Sequence, residues 1–270
     1  MINIKWKISA GINKQLESVL RPHLIKNGEY GNLTSARLHE IKQLAEKHEL
    51  KHKQLLSMRV AYLRDKVISR YQKLVDHRKT IWALYSEGTD VVSISKQYDY
   101  PPVTIFRTIL QEKGLSKKNI KTVLNNPISL SDRDQQQLQM AIDNDIITDP
   151  DNTMKAEAAE IFEDRVVKFF KFKGVKLQTQ NDLVKEQTEL VGRAVLTPDL
   201  YFPDGVKIDG HVIYWLDAKN YYGADVYYIR ESVKKQADKY NNAYGSGAFV
   251  FKYGYSAELA RKINAMFLST

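Results

Sequence analysis

At 270 residues with 43% hydrophobic content, the chain is long enough for two or three domains with buried cores. Cysteine is absent, which excludes disulfides and thiolate zinc sites. No apolar run approaches the roughly 20 residues that span a bilayer, and Met1 to Lys7 has no signal-peptide pattern, so the expectation is an intracellular protein of nucleus or cytoplasm, the two indistinguishable.

The net charge of +9 is unevenly placed. Residues 1–130 hold 23 Lys plus Arg against 11 Asp plus Glu, and residues 131–270 hold 18 against 21. A basic half joined to a slightly acidic one suits a polyanion-binding module beside a module that gathers acids around a metal, although a solvated basic surface has the same composition.

In chain order, a helical domain is expected over residues 1–78. Leu38, Ile41, Leu44 and Ala45 form one stripe, with Asn32 and Thr34 as capping residues; Leu55, Leu56, Met58, Val60, Leu63, Val67 and Tyr71 form a second, basic helix after a turn near His48 to His52. A helix-turn-helix-like domain follows over 79–130. Its short helix holds Ile81 to Tyr85, a second holds Val91 to Ser95, Asp99-Tyr100-Pro101-Pro102 makes a turn, and Val103 to Lys113 forms the third. That spacing turns Val103, Phe106, Ile109 and Leu110 to the core, and Thr104, Arg107, Thr108 and Gln111 outward as candidate DNA contacts. Residues 131–153 read as a packed connector with a short helix, closed by the Asp149-Pro150 turn.

Residues 154–270 read as an α/β domain. Ala156 to Phe172 has apolar residues at helical spacing and carries Glu163, with Glu160 and Asp164 as competitors for its place. Strands are expected near Val175 to Thr179, Leu196 to Phe202, His211 to Ala218 and Ala248 to Tyr253, with a turn at Pro203-Asp204-Gly205. A helix from Val226 to Tyr244 sets Gln236 and Tyr240 one turn apart. Thr197-Pro198-Asp199 and Asp217-Ala218-Lys219 then close two neighbouring strands with two carboxylates and a lysine, a set suited to holding a hard divalent cation against a phosphate. A lone D-x-K triplet carries little specificity. Its weight comes from the apolar strand before Asp217, whose terminal charges need a reason to sit there. Tyr221, Tyr222, Tyr227 and Tyr228 follow closely, as packing residues or as platforms for unpaired bases. The six histidines are scattered, and no phosphate-cradling glycine loop is present.

An acid on a helix, Pro-Asp on a strand, Asp-x-Lys on the next strand and Gln on a following helix resembles the PD-(D/E)xK nuclease superfamily, in particular its archaeal Holliday-junction-resolvase-like branch. Thr197-Pro198-Asp199, Gly210 to Lys219 and Tyr253-Gly254-Tyr255 look like the TPD-motif proteins, a group that includes the codanin-interacting nuclease of animals. Position 217 is Asp where those animal relatives carry Glu, and either acid satisfies the superfamily pattern. The resemblance covers residues 155–256 best. It implies a restriction-endonuclease-like mixed sheet flanked by helices, and a Mg2+- or Mn2+-dependent endonuclease that hydrolyses DNA, branched or structured DNA included. Asp199 and Asp217 would bind the metal, Glu163 the metal or its water, and the Ala218 carbonyl would complete the shell. Lys219 would position or activate the water and Gln236 would steady Lys219 or the scissile strand. The resemblance further implies a homodimer, because two symmetric nicks need two sites, and a protein partner, though no residue here marks a codanin-binding surface. The alternative is a nucleic-acid-binding or adaptor protein with an inactive nuclease-like fold.

Overall fold

The computed structural model describes residues 1–6, 11–148 and 153–270. The Asp149-Pro150 turn lies outside the described residues. The chain separates into a sheet unit, Met1–Leu20, Lys53–Met58 and Thr153–Thr270, and a helical unit, Arg21–His52 and Arg59–Asn152. No helix among the described residues is long and apolar enough to cross a membrane.

After a short strand β1 (Asn3–Ile4) come helices α1 (Lys14–Leu24), α2 (Ser35–Lys47), α3 (His52–Ser69), α4 (Tyr71–Asp76), α5 (Arg78–Ser86), α6 (Val91–Tyr98), α7 (Pro102–Glu112), α8 (Lys117–Asn125) and α9 (Asp132–Asp143). Thr34 caps α2 by accepting from Arg37 N–H at 3.2 Å. The expected stripe on α2 is shifted: Ile41 and Ala45 are buried, but Leu38 is 44% exposed and Arg37 is buried in its stead. Arg37 tolerates burial because Glu29 and Glu40 pair its guanidinium. Helices α5, α6 and α7 form the expected trihelical unit. Asp90 caps α6 through Val92 and Ser93 N–H at 3.0 and 2.9 Å, left-handed Asp99 ends it, and Pro102 starts α7, where its missing donor costs nothing. The connector helix α9 packs into the same core, with Leu138 and Ala141 among Ile81, Tyr85 and Phe106.

The sheet unit continues with α10 (Thr153–Phe172), β2 (Gln178–Thr179), α11 (Gln180–Val191), β3 (Leu200–Ile208), β4 (His211–Lys219), α12 (Tyr227–Tyr244), β5 (Gly247–Phe251), α13 (Ala257–Lys262) and β6 (Met266–Ser269). The mixed sheet runs β1-β3-β4-β5-β6, with β2 also paired to β3. β3 and β4 are antiparallel, whereas β4, β5 and β6 are mutually parallel. Helix α10 contributes Phe162, Val166 and Phe170 to the core that holds Leu200, Leu216 and Val250. Helix α12 buries Ile229, Val233, Ala237 and Tyr240, spaced for one helical face.

Two expectations are corrected. Pro203-Asp204-Gly205 is no hairpin turn: β3 runs through it as a bulge, between the pairs Tyr201↔Trp215 and Val206↔Ile213. Gly205 at φ 64 and donor-free Pro203 fit a bulge as well as a turn. The hairpin closes at Asp209-Gly210, φ 47 and 88, the Asp-Gly pair that two-residue turns favour. In addition, residues 1–20 and 53–58 belong with the sheet rather than with a helical domain over 1–78. β1 pairs with β3, and Glu17 accepts from the Tyr222 and Ser256 hydroxyls at 2.7 and 2.9 Å. Those contacts cross about 200 positions in sequence, beyond what local periodicity can register.

Candidate active site

The apolar run before Asp217 is buried on both faces of β4, so the strand delivers its terminal polar residues out of a dry core. Asp199, just before β3, accepts from Ala218 N–H at 2.7 Å. Lys219 pairs with the Asp217 carboxylate. Gln236 of α12 joins the two, its amide oxygen accepting from Lys219 Nζ at 2.8 Å and its amide nitrogen donating to Asp217 at 3.1 Å. Tyr240, one turn on, is buried and donates to the Thr197 carbonyl at 3.4 Å. Of the three candidate acids on α10, Glu163 alone is half-buried, while Glu160 and Asp164 are exposed, and Asp164 pairs with Lys168 at 2.5 Å.

Electrostatics tie these groups together. Burial, then repulsion from Asp217, pushes Asp199 up to about 8, against the pull of the Ala218 N–H. Burial and the Asp217 charge also raise Glu163. Burial alone would lower Lys219, but Asp217 and Tyr221 hold its ammonium above the ordinary lysine range. The site therefore gathers carboxylates whose mutual repulsion is offset in part by the Lys219 ammonium. Among the described residues no three His, Cys, Asp or Glu side chains form a ready-made metal cage.

Asp199 belongs to the triplet Thr197-Pro198-Asp199. A family model described as "Protein of unknown function TPD sequence-motif" matches residues 130–269, just over half of the chain. The chain belongs to this TPD family. An uncharacterized protein of Acanthamoeba polyphaga mimivirus is 37% identical over 90 residues, 32% of this chain; the chain thus spans under a third, 31%, of that viral relative's length. No solved structure matches.

In this TPD protein Tyr222 is buried against Glu17 and acts as packing, Tyr221 lies edge-on to Phe251 at 5.9 Å, and Tyr227 is 63% exposed. The helix-turn-helix candidates divide. Gln111 is exposed and Arg107 and Thr104 half-exposed, but Thr108 is corrected: it is buried, its hydroxyl donating back to the Thr104 carbonyl at 3.0 Å. A small hydroxyl can satisfy itself on its own helix and enter the core, which helical phase alone does not reveal. Sequence reasoning also missed Lys252. It directly follows β5, its N–H donating to the Lys219 carbonyl at 2.9 Å, and burial with the neighbouring charges of Arg165 and Lys53 lowers its pKa. The available signal was a lysine just after the next parallel strand, as Lys219 stands at the end of β4.

Proposed function

We propose that this TPD protein is a divalent-metal-dependent endonuclease acting on DNA, branched or structured DNA included. The observation that carries the reading is the closed ring of Asp217, Lys219 and Gln236 beside Asp199. The donor set is hard oxygen throughout, and mutual repulsion of the carboxylates gives a Mg2+ or Mn2+ ion something to relieve. Asp199 and Asp217 would hold the ion, Glu163 would hold it or its water, and the Ala218 carbonyl would complete the shell. Such an ion supplies Lewis acidity and a water of lowered pKa.

Lys219 stays charged against Asp217, so its ammonium orients the attacking water and offsets charge growing on the phosphate rather than removing a proton. Gln236 fixes the Lys219 and Asp217 rotamers through one amide. Lys252, Arg165 and Lys53 form a cationic edge that draws in the flanking phosphates. One observation favours the adaptor reading: no three-acid cage exists among the described residues. Cleavage of branched, single-stranded and duplex DNA with Mg2+ or Mn2+ separates the two, using wild type, Asp199→Asn and Lys219→Ala. Equal cleavage by all three overturns the site, and no metal binding together with salt-sensitive DNA affinity selects the adaptor.

A further inference from the structure

The helical unit contains a cavity of about 580 Å3 walled by α3, α7, α8 and the segment around Ile147. That volume lies within the range of small-molecule sites, roughly 300–1,000 Å3. Helix α8 presents Lys117, Ile120, Lys121 and Leu124 to it, and α7 presents Arg107 and Gln111, each set at the spacing of one helical face. Arg64 of α3 closes the wall, its guanidinium donating to the Ile147 carbonyl at 3.5 Å.

Among the described residues the lining thus holds four cations and no carboxylate. Among the described residues none of the four has an ion-pair partner. Asp145 lies close by in sequence, but it is buried and occupied: it accepts from Val103, Ile147 and Thr148 N–H at 3.2, 2.8 and 2.8 Å. Like charges gathered around one concavity repel one another unless an anion enters.

The floor identifies the anion further. Ile120, Leu124 and Ile147 are buried apolar residues, which suit a sugar or base edge better than a bare inorganic ion. Among the described residues no aromatic ring lines the cavity, so phosphate rather than stacking would supply the affinity. Four cations exceed the single charge of a phosphodiester, whereas a phosphomonoester carries about −1.5 to −2 at neutral pH.

We propose that the cavity bounded by Arg64, Arg107, Lys117 and Lys121 binds a nucleotide through its phosphomonoester, supplied either by the phosphorylated end of a nucleic-acid strand or by a free nucleoside monophosphate. The site lies in the helical unit and does not depend on the metal site. The test therefore uses the Asp199→Asn chain of residues 1–270 in EDTA, where cleavage cannot intervene. Fluorescence anisotropy compares one short single-stranded oligonucleotide carrying a 5′-phosphate, a 3′-phosphate or hydroxyl ends. A phosphate-ended strand should bind about tenfold tighter or more, as expected for a charge-assisted contact. Arg107→Gln with Lys121→Gln should abolish that preference, while the exposed pair Lys42→Gln with Lys73→Gln should keep it. Full competition by AMP assigns the free nucleotide as sufficient ligand, and competition by phosphorylated strand alone assigns the strand end. In the unsubstituted cavity, bound ligand should protect Lys117 and Lys121 from acylation, read by mass spectrometry without relying on a variant's folding. Equal affinity for phosphate and hydroxyl ends, or unprotected lysines at saturation, overturns the proposal.

Discussion

Asp199 accepts a 2.7 Å hydrogen bond from the Ala218 N–H, so the residue before β3 is fastened to the end of β4. The contact presents one Asp199 oxygen to the backbone and brings the carboxylate within repulsive reach of Asp217.

That geometry gives the metal-free protein a pH signature. Asp199 is raised in the folded state to about 8 by burial and by Asp217. The folded protein therefore holds a proton that the unfolded chain releases near the ordinary carboxylate value. The Asp199 contribution is fully present below that value and is lost as pH rises towards 8. Thermal melts in EDTA should show the Tm of wild type falling by several degrees between pH 5 and pH 8.5 relative to Asp199→Asn. Parallel pH profiles for the two proteins would show that Asp199 carries no such proton.

Removing Lys219 should separate chemistry from stability. Lys219→Ala leaves the Asp217 carboxylate buried without its ammonium, a loss of about 3–5 kcal/mol by analogy with broken buried ion pairs. Urea denaturation in EDTA reads that loss. Saturating Mg2+ should restore more stability to the variant than it adds to wild type, because the ion then supplies the missing positive charge. Cleavage should fall by about 10²–10³ even at full metal occupancy, the scale of losing one electrostatic stabiliser. Retained cleavage would remove Lys219 from the chemistry.

The meeting of the candidate residues was more legible in the sequence than the fold around them. Asp199, Asp217, Lys219 and Gln236 come together because two strand ends and one helix turn are local patterns, and local patterns are what periodicity reports. Choosing Glu163 over Glu160 and Asp164 required burial, which only the packed helix reveals. Helix α1 escaped notice because its buried residues are few and Pro22 lies within it. Helix α11 did carry a readable signal, the Thr179 and Asp182 capping box. β1 and β6 are too short to show alternation, and their place depends on partners far along the chain.

A glycine beside the site sets a close approach. A Cβ at Gly247 would lie 2.1 Å from the Trp215 ring, which is buried and bonded through its indole N–H to the Gly245 carbonyl at 2.9 Å. The neighbouring atoms belong to a rigid indole between Tyr240 and Phe249, so nothing yields cheaply. Gly247→Ala should destabilise by at least the ~1–3 kcal/mol of ordinary overpacking, read by urea denaturation. It should also perturb cleavage, since Trp215 and Asp217 share β4 and α12 above it positions Gln236. A variant as stable as wild type would mean that β5 shifts freely against β4.

Lys252 offers a way to tell binding from catalysis at the same sheet edge. Its backbone is tied to Lys219, and its ammonium lies 5.5 Å from the centre of the Phe162 ring. Burial and the charges of Arg165 and Lys53 already disfavour its charged form. It makes no direct bond to Asp199, Asp217 or Gln236 among the described residues. Its expected role is therefore attraction of DNA phosphates rather than chemistry. Lys252→Gln should raise KM several-fold, leave kcat close to wild type and reduce the slope of log K against log salt by about 1. In the metal-free protein the same change should cost little stability, because it relieves repulsion within the cationic edge. A fall in kcat with KM and the salt slope unchanged would instead move Lys252 into the reacting centre, beside Lys219.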